Sequence, residues 1–381
     1  ASGAPGASGN PTIRVRGFSS INTDMNEPLI IVDGAPFTGD INTLNNNDIE
    51  SMTVLKDAAS NALYGARGAN GVILITTKRA KHGEAVVSVD AKWGANTRAT
   101  QDYDYITDPG QYYEAYYMGL YNYASFPTEM GGMGLAPAAA NVWANQNMIT
   151  PTSTGLGYNV YTVPAGQMLI GTNGKLNPNA TLGNVVNYRG QEYLLTPDNW
   201  MDATYRSSLR QEYNVSVAQG TEKSNFRASV GYLDTQGIIA STTDYKRFTG
   251  RLTADVQAKP WLKVGANVSY THYSMNMMDG EEGASTSTAN VFAAATQVAP
   301  IYPLYMRDAN GNILIDTNGL QRYDYGDGTN AGLTRPVFGN SNALNAAMLD
   351  KSDSNGNLLN ATGFFEVRFL KDFKFTSNNT V

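Results

Sequence analysis

From Ala85 onward the sequence alternates apolar and polar residues in segments of about ten, a period of two that a strand satisfies and a helix does not. Val87, Val89, Ala91 and Trp93 share one face while Ser88, Asp90 and Lys92 share the other. The alternation returns with Tyr213, Val215 and Val217 opposite Asn214 and Ser216, and with Phe226, Ala228, Val230 and Tyr232 opposite Arg227 and Ser229. It returns again with Phe248, Leu252, Ala254 and Val256 opposite Thr249, Arg251, Thr253 and Asp255, and with Leu262, Val264, Ala266, Val268 and Tyr270 opposite Lys263, Asn267 and Ser269. Phe364 to Phe369 and the run from Phe373 continue the series. About ten residues is also the length with which a tilted strand crosses a bilayer.

A soluble antiparallel sheet with one wet face alternates in the same way. The connections separate the two readings. Those near 219–224, 258–260 and 370–372 are tight, whereas 97–207 and 274–362 far exceed the roughly 15 residues of an ordinary loop in a compact domain. Short connections on one side and long ones on the other are the pattern of outer-membrane barrels.

Composition removes other classes. The 381 residues carry 27 basic and 33 acidic side chains, a formal charge of −6, so no basic footprint for nucleic acid exists. With no cysteine there is no disulfide, thiolate nucleophile or Cys-ligated zinc, and His82 and His272 stand too far apart for a His-rich metal site. Apolar stretches such as Val72-Ile73-Leu74-Ile75 fall well short of the ~18 residues of a membrane helix. The small-residue stretch 1–9 lacks the features of a signal peptide, and both ends are expected to be cuts through a longer polypeptide.

The first eighty residues read differently, as a small sheet with one helix. Ile13 to Gly17, Pro28 to Val32, Asp48 to Lys56 and Val72 to Lys78 are strand candidates, and Asp33-Gly34 is a tight-turn signal. Asp57 is placed to cap a helix over Ala58–Tyr64, which Gly65 ends.

Three ordered blocks in this span, Ile13-Arg14-Val15-Arg16-Gly17, then Pro28 to Pro36, then DIESMTVLKDAASNALYGARGANGVILITTK from Asp48 to Lys78, resemble the plug domain of the SusC/RagA family of TonB-dependent transporters. The stretch WLKVGANVSYTH and the segment from Tyr302 to Gly326 resemble that family's barrel and loops. The resemblance implies a mainly β fold: a small α/β plug domain followed by the N-terminal strands of a large antiparallel transmembrane β-barrel with long extracellular loops. It divides the chain into 1–80, the C-terminal part of the plug, and 81–381, the incomplete barrel. It further implies TonB-driven import of a bulky nutrient, with an oligosaccharide favoured over an oligopeptide, at the outer membrane of a Gram-negative, Bacteroidota-like cell. The implied partners are a SusD-like surface lipoprotein as lid, the TonB complex and outer-membrane lipid. The alternative from another class is a surface glycan-binding receptor or adhesin without transport.

Candidate site residues follow. Arg14, Arg16, Asp33, Arg67 and Asn70 lie in the family-like blocks and are expected to anchor or gate the plug, the arginines by gripping acidic residues of the barrel wall. Asp108-Pro109 opens a helix carrying Tyr112, Tyr113, Tyr116, Tyr117 and Tyr121, which either pack internally or meet a lid or sugar. Gly65 to Gly71 lies after a helix and before a strand, the reverse of a phosphate cradle. Asp308 to Asn312 lacks the spacing and terminal Glu of a calcium loop, and Glu281-Glu282 form no convergent acid pair. No enzyme, cofactor or metal is expected.

Overall fold

The computed structural model describes residues 13–15, 27–56, 64–99, 101, 103–151, 154–239, 244–277, 290–349, 352–370 and 372–380. The chain forms two compact units, the first from 1–97, 207–278 and 351–381, the second from 98–206 and 279–350.

In the first unit a four-stranded sheet comes from β1 (Leu29–Val32), β2 (Ala35–Pro36), β3 (Ile49–Leu55) and β4 (Val72–Thr77), in the order β2-β1-β4-β3. The β1 and β2 strands are joined by Asp33 and Gly34, both left-handed at φ 49° and 87°, the two-residue turn whose twist suits a hairpin. Strand β4, the β-branched run, lies parallel to β1 and antiparallel to β3, and Val72, Ile73 and Ile75 are buried. The helix expected at Ala58–Tyr64 and the residues Arg16 and Gly17 of the first expected strand lie outside the described residues; Ile13 to Val15 are not in a strand.

The second sheet of this unit has seven strands: β5 (Val86–Asn96), β10 (Ser208–Gly220), β11 (Ser224–Gln236), β12 (Asp244–Lys259), β13 (Leu262–Met277), β14 (Ser352–Phe369) and β15 (Phe373–Thr380). All neighbours pair antiparallel, and β5 joins β10 directly, so the sheet is a meander interrupted by long connections and is not closed. Strand β14 starts at Ser352, about ten residues before the alternation in the sequence reveals it, because its first half is rich in Asn, Ser and Gly. One face is apolar and open: Val89, Val215, Leu252 and Phe248 are 73%, 48%, 44% and 43% exposed. On the other face Thr253, Ser229 and Thr249 are buried beneath the four-stranded sheet and its loops.

The second unit consists of the two long connections. It holds the helices α1 (Pro109–Ser125), α2 (Pro137–Met148), α3 (Trp200–Thr204), α4 (Val291–Gln297) and α5 (Ala343–Leu349), and two small hairpins, β6 (Tyr161–Thr162) with β7 (Thr181–Leu182) and β8 (Asn184–Tyr188) with β9 (Gln191–Leu195). Helix α1 starts where the sequence says: Asp108 accepts the Gln111 N–H at 2.7 Å and Pro109 occupies the first turn. Its inner face joins Met148, Tyr158, Ile170, Leu195, Ile301 and Tyr302 in one core. The long connections are therefore a folded body with its own apolar interior.

The exposed apolar band yields a depth-dependent expectation. Arginine in place of Val215, near the middle of the band, should destabilise the full-length protein in lipid vesicles by about 2–4 kcal/mol, and arginine in place of Asn276, on the same face at the end of β13, by about 0–1 kcal/mol. Equal costs in vesicle unfolding would reject a lipid-facing band.

Candidate functional site

The polar face of the seven-stranded sheet receives the small sheet through a series of charges and amides. The tight hairpin at Asp33 directs its carboxylate into the wall. One oxygen accepts from the Arg251 guanidinium at 2.9 Å, the Asn267 amide at 2.6 Å and the Thr77 hydroxyl at 2.6 Å, and the other accepts the Thr77 N–H at 2.8 Å. Asp33 is thereby tied to β4 and to the wall at once. The Asp33 and Arg251 side chains are each 10% exposed.

A second seat is the loop 41–48, two short 3-10 turns ending in Asp48. Its buried carboxylate accepts from Ser229 at 2.7 Å and from Arg227 at 3.3 Å. Asn45 caps the second turn, and its amide donates to Asn214 at 2.7 Å and Thr249 at 3.2 Å, while Asn47 donates to Glu212 at 2.8 Å. Arg247 reaches the other way, donating to the carbonyls of Leu44, at 2.8 Å, and Asn42. Thr271 donates to the Thr43 carbonyl at 3.2 Å. Below this, Arg79 meets Asp255 at 3.1 Å, and Asn225 exchanges two hydrogen bonds with the backbone of Ala80.

Such an interface suits reversible seating. Each polar group can trade its partner for water, so a part held this way separates at lower cost than one held by a dry apolar seam. Close approach is enforced at Gly231, where a Cβ would stand 2.3 Å from the Asn45 amide nitrogen and 2.7 Å from Asn214 and Thr249 oxygens.

Of the residues singled out from sequence, Asp33 is at the centre of this interface. Arg14 and Arg67 are exposed, and Arg67 lines a 420 Å³ cavity with Ile13, Glu27 and Asp40. Arg16 lies outside the described residues, and the Asn70 amide donates to the Glu27 carbonyl at 3.4 Å. The direction of charge is opposite to the expected one at both Asp33 and Asp48: the small sheet brings carboxylates and the wall brings arginines. Long arginines span from a strand to a turn, whereas a short Asp is positioned rigidly by the turn itself. Asn45 and Asn47 look like any polar loop in sequence, and Asp48 reads as the start of a strand, so none of the three signals a contact with the wall. Single arginines in mid-strand on a face destined for burial were the available signal.

The tyrosines divide. Tyr113 and Tyr117 are buried, and their hydroxyls are used internally, Tyr113 donating to the Tyr158 carbonyl at 2.7 Å and Tyr117 accepting from Asn141 at 2.7 Å. These two cannot touch a lid or sugar, a correction that follows from their spacing of four on the inward side of α1. Tyr112, Tyr116 and Tyr121 are half-buried against the same core. Tyr158 donates to both oxygens of the fully buried Asp324, which also accepts from Asn330 at 2.6 Å. Burial pushes the Asp324 carboxyl up, against the opposing pull of Arg335 and its hydrogen bonds. The Asp308 loop is a turn in which the carboxylate accepts the N–H groups of Asn310 and Asn312. No group of three His, Cys, Asp or Glu that could hold a metal occurs among the described residues, and Glu281-Glu282 lie outside them.

A small sheet seated by ion pairs on the polar face of an antiparallel meander, whose other face is apolar and open, defines the plugged-barrel class. Residues 2–72 match the family described as TonB-dependent Receptor Plug Domain. The chain is 27% identical over 316 residues to the TonB-dependent receptor SusC of Bacteroides thetaiotaomicron, covering 80% of this chain and 24% of that protein. It is 29% identical over 280 residues to the TonB-dependent receptor P39 of Formosa agariphila, covering 73% of this chain and 20% of that protein. The fold superposes on the solved RagAB peptide transporter with a TM-score of 0.59 at 23% identity, over 93% of this chain and 34% of that one. The chain thus carries a match to the TonB-dependent receptor plug, is similar in sequence to TonB-dependent receptors of the SusC kind and in fold to the RagAB transporter, and spans about a fifth to a quarter of the length of these curated relatives.

Two outcomes test this geometry. Gly231→Ala should expel the Asn45 amide, leave a buried donor unmet and cost about 1–3 kcal/mol, whereas Gly250→Ala, with nothing within 4 Å, should cost little. Differential unfolding of the two variants in urea measures the contrast. In the second unit, burial raises the phenols of Tyr113, Tyr158 and Tyr302 well above their ordinary value of 10.0. Because the folded value is the higher one, the stability they contribute is present below pH ~10 and is lost as pH rises beyond it. Absorbance titration at alkaline pH should show these tyrosines ionising only together with loss of the unit's tertiary signal.

Proposed function

We propose that the complete protein imports a bulky nutrient through the outer membrane by a TonB-dependent cycle. Residues 1–80 act as part of the plug, and 81–381 contribute barrel wall and extracellular loops. The observation that carries this reading is the charge-paired seat of the small sheet, in which Asp33 and Asp48 meet Arg251 and Arg227. An ion-paired seat withstands thermal motion yet yields when a directed pull lets water replace its partners. Asp33, which ties β4 to the wall, is the proposed anchor, with Asn70 and the exposed Arg14 and Arg67 at the plug's outer surface. The second unit is the proposed platform for a SusD-like lipoprotein, the half-buried Tyr112, Tyr116 and Tyr121 contributing at its edge. Its cargo is an oligosaccharide or an oligopeptide; the structural relatives are named as a peptide importer, and the curated one as SusC. No bond in the cargo is broken in this reading; the sequence relatives are receptors by name and the structural one is a transporter by name.

Replacing Asp33 and Asp48 by Asn leaves Arg251 and Arg227 without counter-charges, and removing one partner of a buried pair costs about 3–5 kcal/mol. In single-channel recordings the full-length double variant should leak current where the parent is silent, and cellular uptake of defined oligosaccharides or peptides should fall. Silent channels with unchanged uptake would contradict the plug assignment, and binding of cargo without any uptake by the parent would favour a surface receptor.

A further inference from the structure

The wall carries more cations than it can pair for itself. On the polar face of β5 and β10 to β13 stand six cations, Lys92, Arg210, Arg227, Arg247, Arg251 and Lys263, and three carboxylates, Asp90, Glu212 and Asp255, an excess of three in a chain whose formal charge is −6. The three carboxylates are matched on the wall itself: Asp90 with Lys92 at 3.0 Å, Glu212 with Arg210 at 3.0 Å and Asp255 with Lys263 at 2.7 Å.

The remaining three, Arg227, Arg247 and Arg251, take their ion-pair or carbonyl partners from the small sheet and its loops. Arg227 has Asp48, Arg251 has Asp33, and Arg247 has the Leu44 and Asn42 carbonyls. Even so, the Nε donors of Arg227 and Arg251 are buried without an acceptor. The three are not scattered. Arg227 stands opposite Thr253 and Arg251 opposite Ser229, so with Arg247 they form one line spanning positions 247 to 253 of β12, ~20 Å along the strand.

We propose that this line is an arginine ladder that selects carboxylate-bearing cargo once the plug has moved. The inference rests on the import cycle proposed above and names the cargo chemistry of that cycle. Displacing Asp33 and Asp48 removes two carboxylates from the wall and leaves three guanidiniums facing the water of the path. Guanidinium binds carboxylate with two parallel N–H donors, so an oligomer with regularly spaced acidic groups replaces, step by step, the partners that the plug took away. A uronic-acid oligosaccharide and an acidic peptide share this chemistry. While the plug is seated its own carboxylates occupy the ladder, so cargo and plug compete for the same three arginines.

The test uses the full-length protein in planar bilayers, with urea to release the plug and a salt gradient to read ion selectivity. A line of like charges sets which ions a pore favours, so the opened parent should be anion-selective. Arg227→Gln, Arg247→Gln and Arg251→Gln together should abolish that preference, and Lys at the same positions should retain it, which separates charge from misfolding. Oligogalacturonate and oligoglutamate should each block the open current at about tenfold lower concentration than neutral maltooligosaccharide, reflecting local enrichment near the ladder, and the Gln variant should lose the difference. Block by the sugar acid alone or by the peptide alone supports the ladder and identifies the source. A current that opens but is cation-selective, or whose selectivity the Gln variant keeps, overturns the ladder and leaves the plug assignment standing. A protein that urea never opens overturns both.

Discussion

Burying a guanidinium away from any acceptor costs several kcal/mol, and the wall of this sheet buries Arg247 and leaves the side chains of Arg251 and Arg227 only 10% and 13% exposed. That constraint organises the first unit. The Asp33 hairpin, the loop 41–48 and the strands that carry them have to lie where their carboxylates and carbonyls satisfy Arg251, Arg227 and Arg247. The turn geometry of Asp33, the cap at Asn45 and the missing side chain at Gly231 all serve that placement. The same arginines that fix the small sheet would be left exposed by its departure, so seating and release are two sides of one charge balance.

The seven-stranded sheet is able to be polar on that face because its other face supplies the apolar surface. Val89, Val215 and Leu252 point away from the small sheet and are open, whereas their neighbours along each strand are polar. In water such a sheet would have to be reversed, with the apolar residues covered. A charged inner face covered by a polar partner, and an apolar outer face left open, is the arrangement of strands in an outer-membrane barrel, whose outer face meets hydrocarbon.

The second unit follows ordinary rules. Its core gathers tyrosines at Tyr113, Tyr117, Tyr158 and Tyr302, each ring burying a large area and each hydroxyl finding a partner within the unit. The Tyr158 hydroxyl, the Asp324 carboxylate and the Asn330 amide lock two distant stretches of the chain together. A long connection with this interior is a folded body rather than a loop.

Strand positions, the polar and apolar faces, the tight turns and the Asp33-Gly34 hairpin were legible because each depends on residues close together in sequence: period two for a strand, left-handed φ for a two-residue turn. The length of β14 was not, since Asn, Ser and Gly in its first half take strand form only through pairing with β13. Nor was the role of Asn45, a loop residue by sequence, or of Asp48, a strand start by sequence, until Asn214 and Ser229, 169 and 181 positions away, are brought beside them. The tyrosine helix was legible as a helix, but which rings turn inward depended on Met148 and Tyr302 closing over it. Local periodicity and the resemblance of the first eighty residues thus determined the class and the strands. Which charge pairs with which was decided by tertiary structure alone, because an ion pair is a property of distance in space, and sequence separation carries no information about that distance.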